Sequence, residues 1–404
     1  MPCGLSRLRL GLIFKSFGPY HWARARALSE ISDARVAELV LYDPEYEWNA
    51  LASDRSDLRI CAFAEKEPAC RRERMLAADR LQSWLSETRP DAVAIPGWSE
   101  PLALLALANC RRLGIPTVVM SDSRADDAPR NAVQEAVKSK IVREFDAALV
   151  AGEQHARYVM SLGLPDDRIF SGLDVVDNDH FGAGADRARA GLNSLIGRRL
   201  PPRYVLACSR LVAKKDVDTI IKAFALFSQS AEAQDWRLVI AGDGPLRTGL
   251  EQLAARLIVG KTLFLGRVQY DDLPTLYGCA SAFVLASRSD QWGLVVNEAM
   301  ASGTPVVVSR GAGAAEALIC DGQNGFTFRP GDVEGLAAVL GRLTDEDLRV
   351  RMGAAGRRTI EQWRPQRFAE GLLAAAQAAI THSSKRDRGP PIATRLLLTA
   401  LTAR

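Results

Sequence analysis

Short apolar runs of about four to seven residues, bounded by turn residues, recur along this chain with helical stretches between them. Leu8 to Phe14, Val36 to Leu41, Ala92 to Ile95, Thr117 to Met120 and Ala147 to Val150 are the runs of the first half. Tyr204 to Cys208, Leu238 to Ala241, Thr262 to Leu265, Ala282 to Ala286, Pro305 to Val308 and Gly325 to Phe328 are those of the second. Runs without polar alternation suit parallel strands buried on both faces. Parallel neighbours need a crossover, and the intervening helical stretches supply it. The pattern predicts an α/β chain of two doubly wound halves, with ligands at the carboxyl ends of the strands and a cleft where the halves face.

The 404 residues suffice for two or three domains of roughly 150 residues each. The glycines at 182, 184, 191 and 197 and the pair Pro201-Pro202 interrupt the alternation, which places a linker there. The expected organisation is a first domain over 1–180, a linker over 181–202 and a second domain over 203–362. A helix over 363–382 and a basic tail over 383–404 complete it. In the tail, Ile392 to Ala403 reads as a short apolar helix or a frayed terminus.

Composition narrows the function. The 52 basic and 48 acidic residues leave a net charge of +4, too balanced to argue for nucleic acid. The seven cysteines are scattered without a C-x-x-C pair, as expected of thiols in a reducing compartment. The four histidines are not at metal-ligand spacing, which argues against a histidine zinc site. No apolar run reaches the ~18 residues of a membrane span. Leu10 to Phe14 is shorter than the roughly 7 to 15 residues of a secretory core, so a cytoplasmic protein is expected.

The most informative stretch is Ser287 to Ser309, SRSDQWGLVVNEAMASGTPVVVS. A strand ends in a polar loop holding Asp290, and a helix starts at Gly293, Leu294 and Val295. Glu298 follows in the second turn, where helical side chains lean back toward the N-terminus. Both carboxylates can face one ligand there, and the free N–H groups of the helix start suit phosphate oxygens. The residues alone equally allow a surface acid and an acid placed by the helix dipole.

This stretch resembles the retaining glycosyltransferases of family 4, whose signature is E-x-F/W-G-L-x-x-x-E-A-M-A-x-G-x-P-V. DQWGLVVNEAMASGTPVV matches except that Asp290 stands in place of Glu. A second match is SRLVAKKD at Ser209 to Asp216, where the family has G-R-L-x-x-x-K-G; Asp216 replaces its last glycine. The resemblance implies a GT-B fold, two Rossmann-like domains with a C-terminal helix crossing back to the first. It implies that Arg210 and Lys215 grip the donor diphosphate. It also implies that Asp290 binds donor-sugar hydroxyls and Glu298 the nucleotide ribose. An arginine clamps two phosphate oxygens and a lysine adds a point charge, so the pair can offset the charge of a leaving diphosphate without a metal. Asp290 is one methylene shorter than Glu, which bears on sugar identity.

Other segments agree with the resemblance. Gly266 to Val268 falls where the family contacts the base, with Gly266 and Val268 as donor-binding candidates. Glu316 opens onto the family's donor-side loop or is a first-turn acid. Gly18, in the loop after the first strand, falls near the donor phosphate and acceptor. Asp122 stands in the loop where many members carry a histidine; a buried carboxylate there would orient the acceptor hydroxyl or accept its proton, and a turn aspartate is the alternative. Trp98 is a sugar-stacking platform or a core residue. Gly242 and Gly244 make a weak dinucleotide fingerprint, with Arg247 where the third glycine belongs. Asp177-Asn178-Asp179 has D-x-D spacing but falls at the linker, and is read as hinge or turn chemistry rather than a metal site.

The implied reaction is transfer of a sugar from a UDP- or GDP-linked donor to an acceptor hydroxyl with retention, without cofactor or metal. Bacterial relatives build exopolysaccharide, capsule or lipid-linked glycans, so the implied acceptor is a glycan or lipid-linked. Peripheral contact with the inner face of the plasma membrane stays open, and no nucleic acid is expected. The alternatives are a GT-B sugar-nucleotide epimerase, a non-catalytic nucleotide-sugar binder and a nicotinamide-dependent oxidoreductase, against which the incomplete glycine fingerprint argues.

Overall fold

The computed structural model describes residues 7–43, 58, 60–191 and 200–383. The chain divides into two compact units, one formed by residues up to Val175 together with those from Pro365, the other by Val176–Arg364.

The first unit is a parallel sheet of seven strands: β1 (Arg9–Phe14), β2 (Asp33–Val40), β3 (Cys61–Ala64), β4 (Ala92–Pro96), β5 (Thr117–Ser121), β6 (Ala147–Val150) and β7 (Ile169–Ser171). Their spatial order is β3-β2-β1-β4-β5-β6-β7. The chain winds outward from β1 in one direction, then returns to β4 and winds in the other. The order therefore reverses between β1 and β4, where Leu10 to Leu12 pair with Ala92 to Ala94. One face of the sheet packs Ile13, Ile95 and Val119 against Trp84, Leu107 and Phe145. The other packs Leu10, Leu12, Phe14 and Val118 against Leu28, Phe368, Leu372 and Ala376.

Phe368, Leu372 and Ala376 belong to helix Pro365–Ser383, which lies against β4 to β7 and helix Pro19–Ile31. Its small residues permit close approach: a Cβ on Gly371 would stand 2.4 Å from the Ser171 carbonyl oxygen. The chain thus returns to its first unit after Trp363.

The second unit is a parallel sheet of six strands: β8 (Tyr204–Cys208), β9 (Arg237–Ala241), β10 (Thr262–Gly266), β11 (Ala282–Leu285), β12 (Val306–Ser309) and β13 (Gly325–Phe328). The order is β10-β9-β8-β11-β12-β13, so the reversal falls between β8 and β11. Val205, Ala207, Ile240 and Val284 meet Ile220, Phe224, Trp236 and Leu336 in its core.

All eleven runs expected to be strands are strands, within one to three residues at their ends. β3 and β7 were not anticipated. Each is an edge strand, four and three residues long, too short to carry a pattern. The glycine-rich tract assigned to the linker opens differently: Asn178–Arg189 is a helix of the second unit. Gly184 sits against the Pro274 ring, where a Cβ would be 2.5 Å away, so that glycine serves packing rather than flexibility. Residues 192–199 and Ile392 to Ala403 lie outside the described residues. Among the described residues no helix is long and apolar enough to cross a membrane.

Candidate active site

The order reversal of the second sheet brings two loops together. One follows β8 and carries Arg210 and Lys215; the other follows β11 and carries Arg288 and Asp290. Ligands of open α/β sheets sit at such reversals, outside the carboxyl ends of the strands. The loops touch: the N–H of Arg288 donates to the Lys214 carbonyl at 2.8 Å. The Lys215 ammonium forms an ion pair with Oδ2 of Asp290, which also accepts from the Ser287 hydroxyl at 3.2 Å. Both partners of that ion pair are largely buried.

The β8 loop is supported from below by the loop after β9. Leu211 N–H donates to the Asp243 carbonyl at 2.9 Å and Leu246 N–H to the Leu211 carbonyl at 3.1 Å. A Cβ on Gly242 would fall 1.9 Å from the Ser209 carbonyl oxygen, and one on Gly244 2.6 Å from that of Leu211. Both glycines also have positive φ, 124° and 157°. They let one backbone lie on another, so the incomplete glycine fingerprint marks a loop–loop contact that holds Arg210 in place.

The β11 loop is braced on its other side. Asp290 N–H donates to the Gly311 carbonyl at 3.0 Å, and Ala314 N–H to the Trp292 carbonyl at 3.0 Å. Trp292 is buried, its indole N–H bonded to Asn297 at 2.9 Å and its ring 5.0 Å from that of Trp363. The motif tryptophan is thus an anchor. Gly293 follows with φ 99° and starts helix Leu294–Ala301; a Cβ there would stand 2.8 Å from the Leu285 side chain.

Glu298 lies in the second turn of this helix with 1% of its surface exposed. Oε2 of Glu298 accepts a 2.6 Å hydrogen bond from the Tyr277 hydroxyl. Cys208, at the end of β8, closes the group. Burial and the Glu298 carboxylate push its thiol up to about 12, while a hydrogen bond to Tyr277 and the Lys215 ammonium oppose this. Cys208 therefore sits within electrostatic reach of both carboxylate and ammonium. Tyr277, Cys208 and Arg288 were not singled out from the sequence. Their signal was only positional: Cys208 ends the strand before the Arg210 loop, and Arg288 stands two residues before Asp290.

The other expected residues fall as follows. Gly266 ends β10 with φ 71°, and its carbonyl accepts the Gly242 N–H at 2.7 Å; Val268 is half-buried two residues on. Glu316 is exposed in the first turn of helix Gly313–Leu318. Asp177 caps helix Asn178–Arg189 by accepting the His180 N–H at 3.0 Å, and Asp179 pairs with Arg364 at 3.3 Å. Among the described residues no group of three or more His, Cys, Asp or Glu is placed to hold a metal ion.

In the first unit, Gly18 caps helix Pro19–Ile31 with an ordinary extended φ of −135° and donates its N–H to Nδ1 of His21 at 3.1 Å. Asp122 follows β5 and is exposed, which fits the turn aspartate and not the buried carboxylate. It lies near enough to raise the pKa of the buried Arg24, although burial lowers that pKa overall. Trp98 is a core residue: it is buried, with its ring edge-on to Tyr158 at 6.2 Å.

Residues 196–359 match the family model of glycosyl transferases group 1, and residues 21–170 that of a glycosyl transferase 4-like domain. D-inositol 3-phosphate glycosyltransferase of Streptomyces scabiei is 30% identical over 369 residues, covering 84% of this chain and 76% of that protein. The chain belongs to the glycosyl transferases of group 1. Sulfoquinovosyl transferase SQD2 of Arabidopsis thaliana is 39% identical over a shorter stretch, 31% of this chain and 25% of that protein; the match thus spans a quarter of that relative's length. Anabaena HepE in complex with UDP and glucose superposes with a TM-score of 0.70 at 18% identity, over 93% of this glycosyltransferase and all of that chain. The fold is GT-B, as the sequence resemblance implied.

Proposed function

We propose that this glycosyltransferase moves a sugar from a nucleotide-diphosphate donor to an acceptor hydroxyl with retention of anomeric configuration. The observation that carries the reading is the meeting of the Arg210–Lys215 loop with the Asp290–Glu298 segment at the order reversal of the second sheet. Arg210 and Lys215 would take the diphosphate oxygens. Their charge stabilises the diphosphate as the glycosidic bond breaks, an effect for which one preorganised group is typically worth ~10²- to 10³-fold in rate. The metal-free chemistry is part of this proposal.

Asp290 would accept from donor-sugar hydroxyls and Glu298 from the ribose, with Gly293, Leu294 and Val295 presenting helix N–H groups and Gly266 and Val268 beside the base. Gly18 and Asp122 of the first unit are assigned to the phosphate and acceptor side. No protein nucleophile is assigned. The acceptor oxygen attacks the anomeric carbon on the face the diphosphate leaves, and the departing phosphate oxygen takes its proton. The structure of HepE with UDP and glucose supports a UDP-linked hexose as the first donor to test. The acceptor in this reading is a glycan or lipid-linked hydroxyl in polysaccharide or glycolipid assembly.

The deciding experiment pairs a thermal-shift screen of nucleotide sugars with product analysis by NMR. A donor at about 100 times its dissociation constant adds ~2.7 kcal/mol of stability. Product with the donor's anomeric configuration, formed only when acceptor is present, is expected. Nucleotide release with sugar epimerised and no acceptor required would replace this reading by the epimerase.

A further inference from the structure

Asp216 stands where the family pattern has glycine, and its backbone explains the glycine. Its φ and ψ are 49° and 43°, in the left-handed region. Among the described residues, Arg89 is the other non-glycine with positive φ. An L residue is disfavoured in this conformation and glycine is not. Aspartate is among the residues that tolerate it, helped by hydrogen bonds of its side chain.

That side chain is tied to the opposite loop. Oδ1 of Asp216 accepts from Nη2 of Arg288 at 3.2 Å, Nε of Arg288 lies 3.1 Å from Oδ2, and Oδ2 also accepts from the Thr219 hydroxyl at 2.8 Å. The Asp216 side chain is buried, while that of Arg288 is 61% exposed. Two-pronged contact between a guanidinium and a carboxylate fixes direction as well as distance. Adjacent residues of one loop, Lys215 and Asp216, thus pair with Asp290 and Arg288 of the other.

We propose that Asp216 and Arg288 are a positioning pair, a latch that holds the diphosphate-gripping loop in register with the loop bearing Asp290. Resting on the proposed transfer reaction, the latch keeps Lys215 against Asp290 in the empty site. It also keeps the Lys215 loop at the height where the ammonium meets the diphosphate when donor arrives. In this reading neither latch residue is assigned a contact with the donor. A displacement of about 1 Å of such a group can cost ~10²-fold in rate, so a tie of this kind acts on turnover more than on folding.

The test reads Lys215 directly. Trace acetic anhydride labels lysines in proportion to their free, accessible amine, and Lys222, exposed on the following helix with its own partner Asp218, serves as the internal reference. In Arg288→Gln and in Asp216→Gly, which keeps the left-handed backbone, Lys215 is expected to label at least about threefold faster relative to Lys222 than in the parent. Arg288→Lys should restore most of the protection. An unchanged Lys215 to Lys222 ratio in both variants overturns the latch. This measurement uses no donor, so a chain that transfers no sugar would sink the proposed function without deciding the latch. With the reaction established, both variants should lower kcat about tenfold, with free-nucleotide affinity within about twofold. The double variant should be no slower than the slower single. Effects that multiply in the double variant overturn the pairing. Should Asp216→Gly not fold, the Arg288 variants, altered at an exposed side chain, carry the test alone.

Discussion

The Tyr277 hydroxyl donates a 2.6 Å hydrogen bond to Oε2 of Glu298, and both side chains are buried beneath the carboxyl end of β8. Tyr277 is itself fixed, since the Thr304 hydroxyl donates to its carbonyl at 2.7 Å and the Tyr204 hydroxyl to the neighbouring Leu276 carbonyl at 2.6 Å. The phenol so fixed sets the direction in which the buried carboxylate is held. Tyr277→Phe keeps the ring and removes that donor. It is expected to cost about 1 to 3 kcal/mol of stability and to weaken free-nucleotide binding about tenfold, or ~1.4 kcal/mol. Urea unfolding and a nucleotide titration check both; an unchanged dissociation constant would detach Tyr277 from the site.

Arg210→Ala and Lys215→Ala should each reduce turnover by about 10²-fold or more. Their stability costs should differ. Arg210 is exposed, and its removal should cost less stability than that of Lys215. Lys215 neutralises the largely buried Asp290, so Lys215→Ala should also destabilise the second unit. Near-normal rates in both variants would remove the diphosphate assignment.

The legibility of this molecule follows the length of its signals. Buried parallel strands such as Tyr204–Cys208 and Gly325–Phe328 are continuous apolar runs and end where the sequence says they end. Arg210, Lys215, Asp290 and Glu298 were visible because each sits in a motif with fixed spacing, and three of them meet or are bridged in space. Tyr277 reaches Glu298 from 21 positions away, and Asp216 reaches Arg288 from 72. Neither pair leaves a local pattern, because strand order and not sequence spacing joins them. For Asp122 the sequence left a buried carboxylate and a turn aspartate open, and its exposure after β5 fits the turn.

Transfer should proceed at full rate in excess chelator. In the proposed reaction Arg210 and Lys215 would supply the positive charge that a metal otherwise brings to a diphosphate, and the D-x-D aspartates are engaged elsewhere, Asp177 as a helix cap and Asp179 with Arg364. Rates are compared with and without chelator. Loss of transfer that magnesium or manganese restores would return Asp177 and Asp179 to consideration as ligands.

His21 makes stability depend on pH. Its ring lies 4.4 Å from that of Phe14 and 6.0 Å from that of Phe17, and Nδ1 accepts the Gly18 N–H. Burial, reinforced by the nearby Arg24 charge, lowers its pKa to about 3. The unfolded imidazole titrates near 6.5, so between these values the unfolded state binds more protons and stability falls as pH falls. At pH 5 this group alone should have cost about 2 kcal/mol relative to pH 7 or above. His21→Gln keeps an acceptor for the Gly18 N–H and cannot titrate. Urea unfolding at pH 7 and pH 5 should show a smaller loss in that variant by about 2 kcal/mol; equal losses would assign the slope to other groups.

Asp290 and Glu298 should separate by what they bind. Asp290 lies in the β11 loop against Lys215, and Glu298 is held by Tyr277 one helical turn inside the following helix. If Asp290 takes a donor-sugar hydroxyl, Asp290→Asn removes a charge-assisted hydrogen bond worth roughly 1.5 to 3 kcal/mol and should lower turnover and affinity for the nucleotide sugar. It also frees Lys215 from its ion pair, so affinity for the free nucleoside diphosphate should hold or rise. If Glu298 takes the ribose, Glu298→Gln weakens a contact that needs no sugar and should lower both affinities alike. Asp290→Glu restores the family's length; it lets the carboxylate reach about 1.5 Å further along one more carbon–carbon bond, and is expected to change the preferred sugar. Calorimetry with free nucleotide and with nucleotide sugar, run side by side on the parent and the variants, distinguishes these outcomes. Asp290→Ala with unaltered rate and unaltered donor preference would leave the diphosphate site standing and remove Asp290 from the sugar.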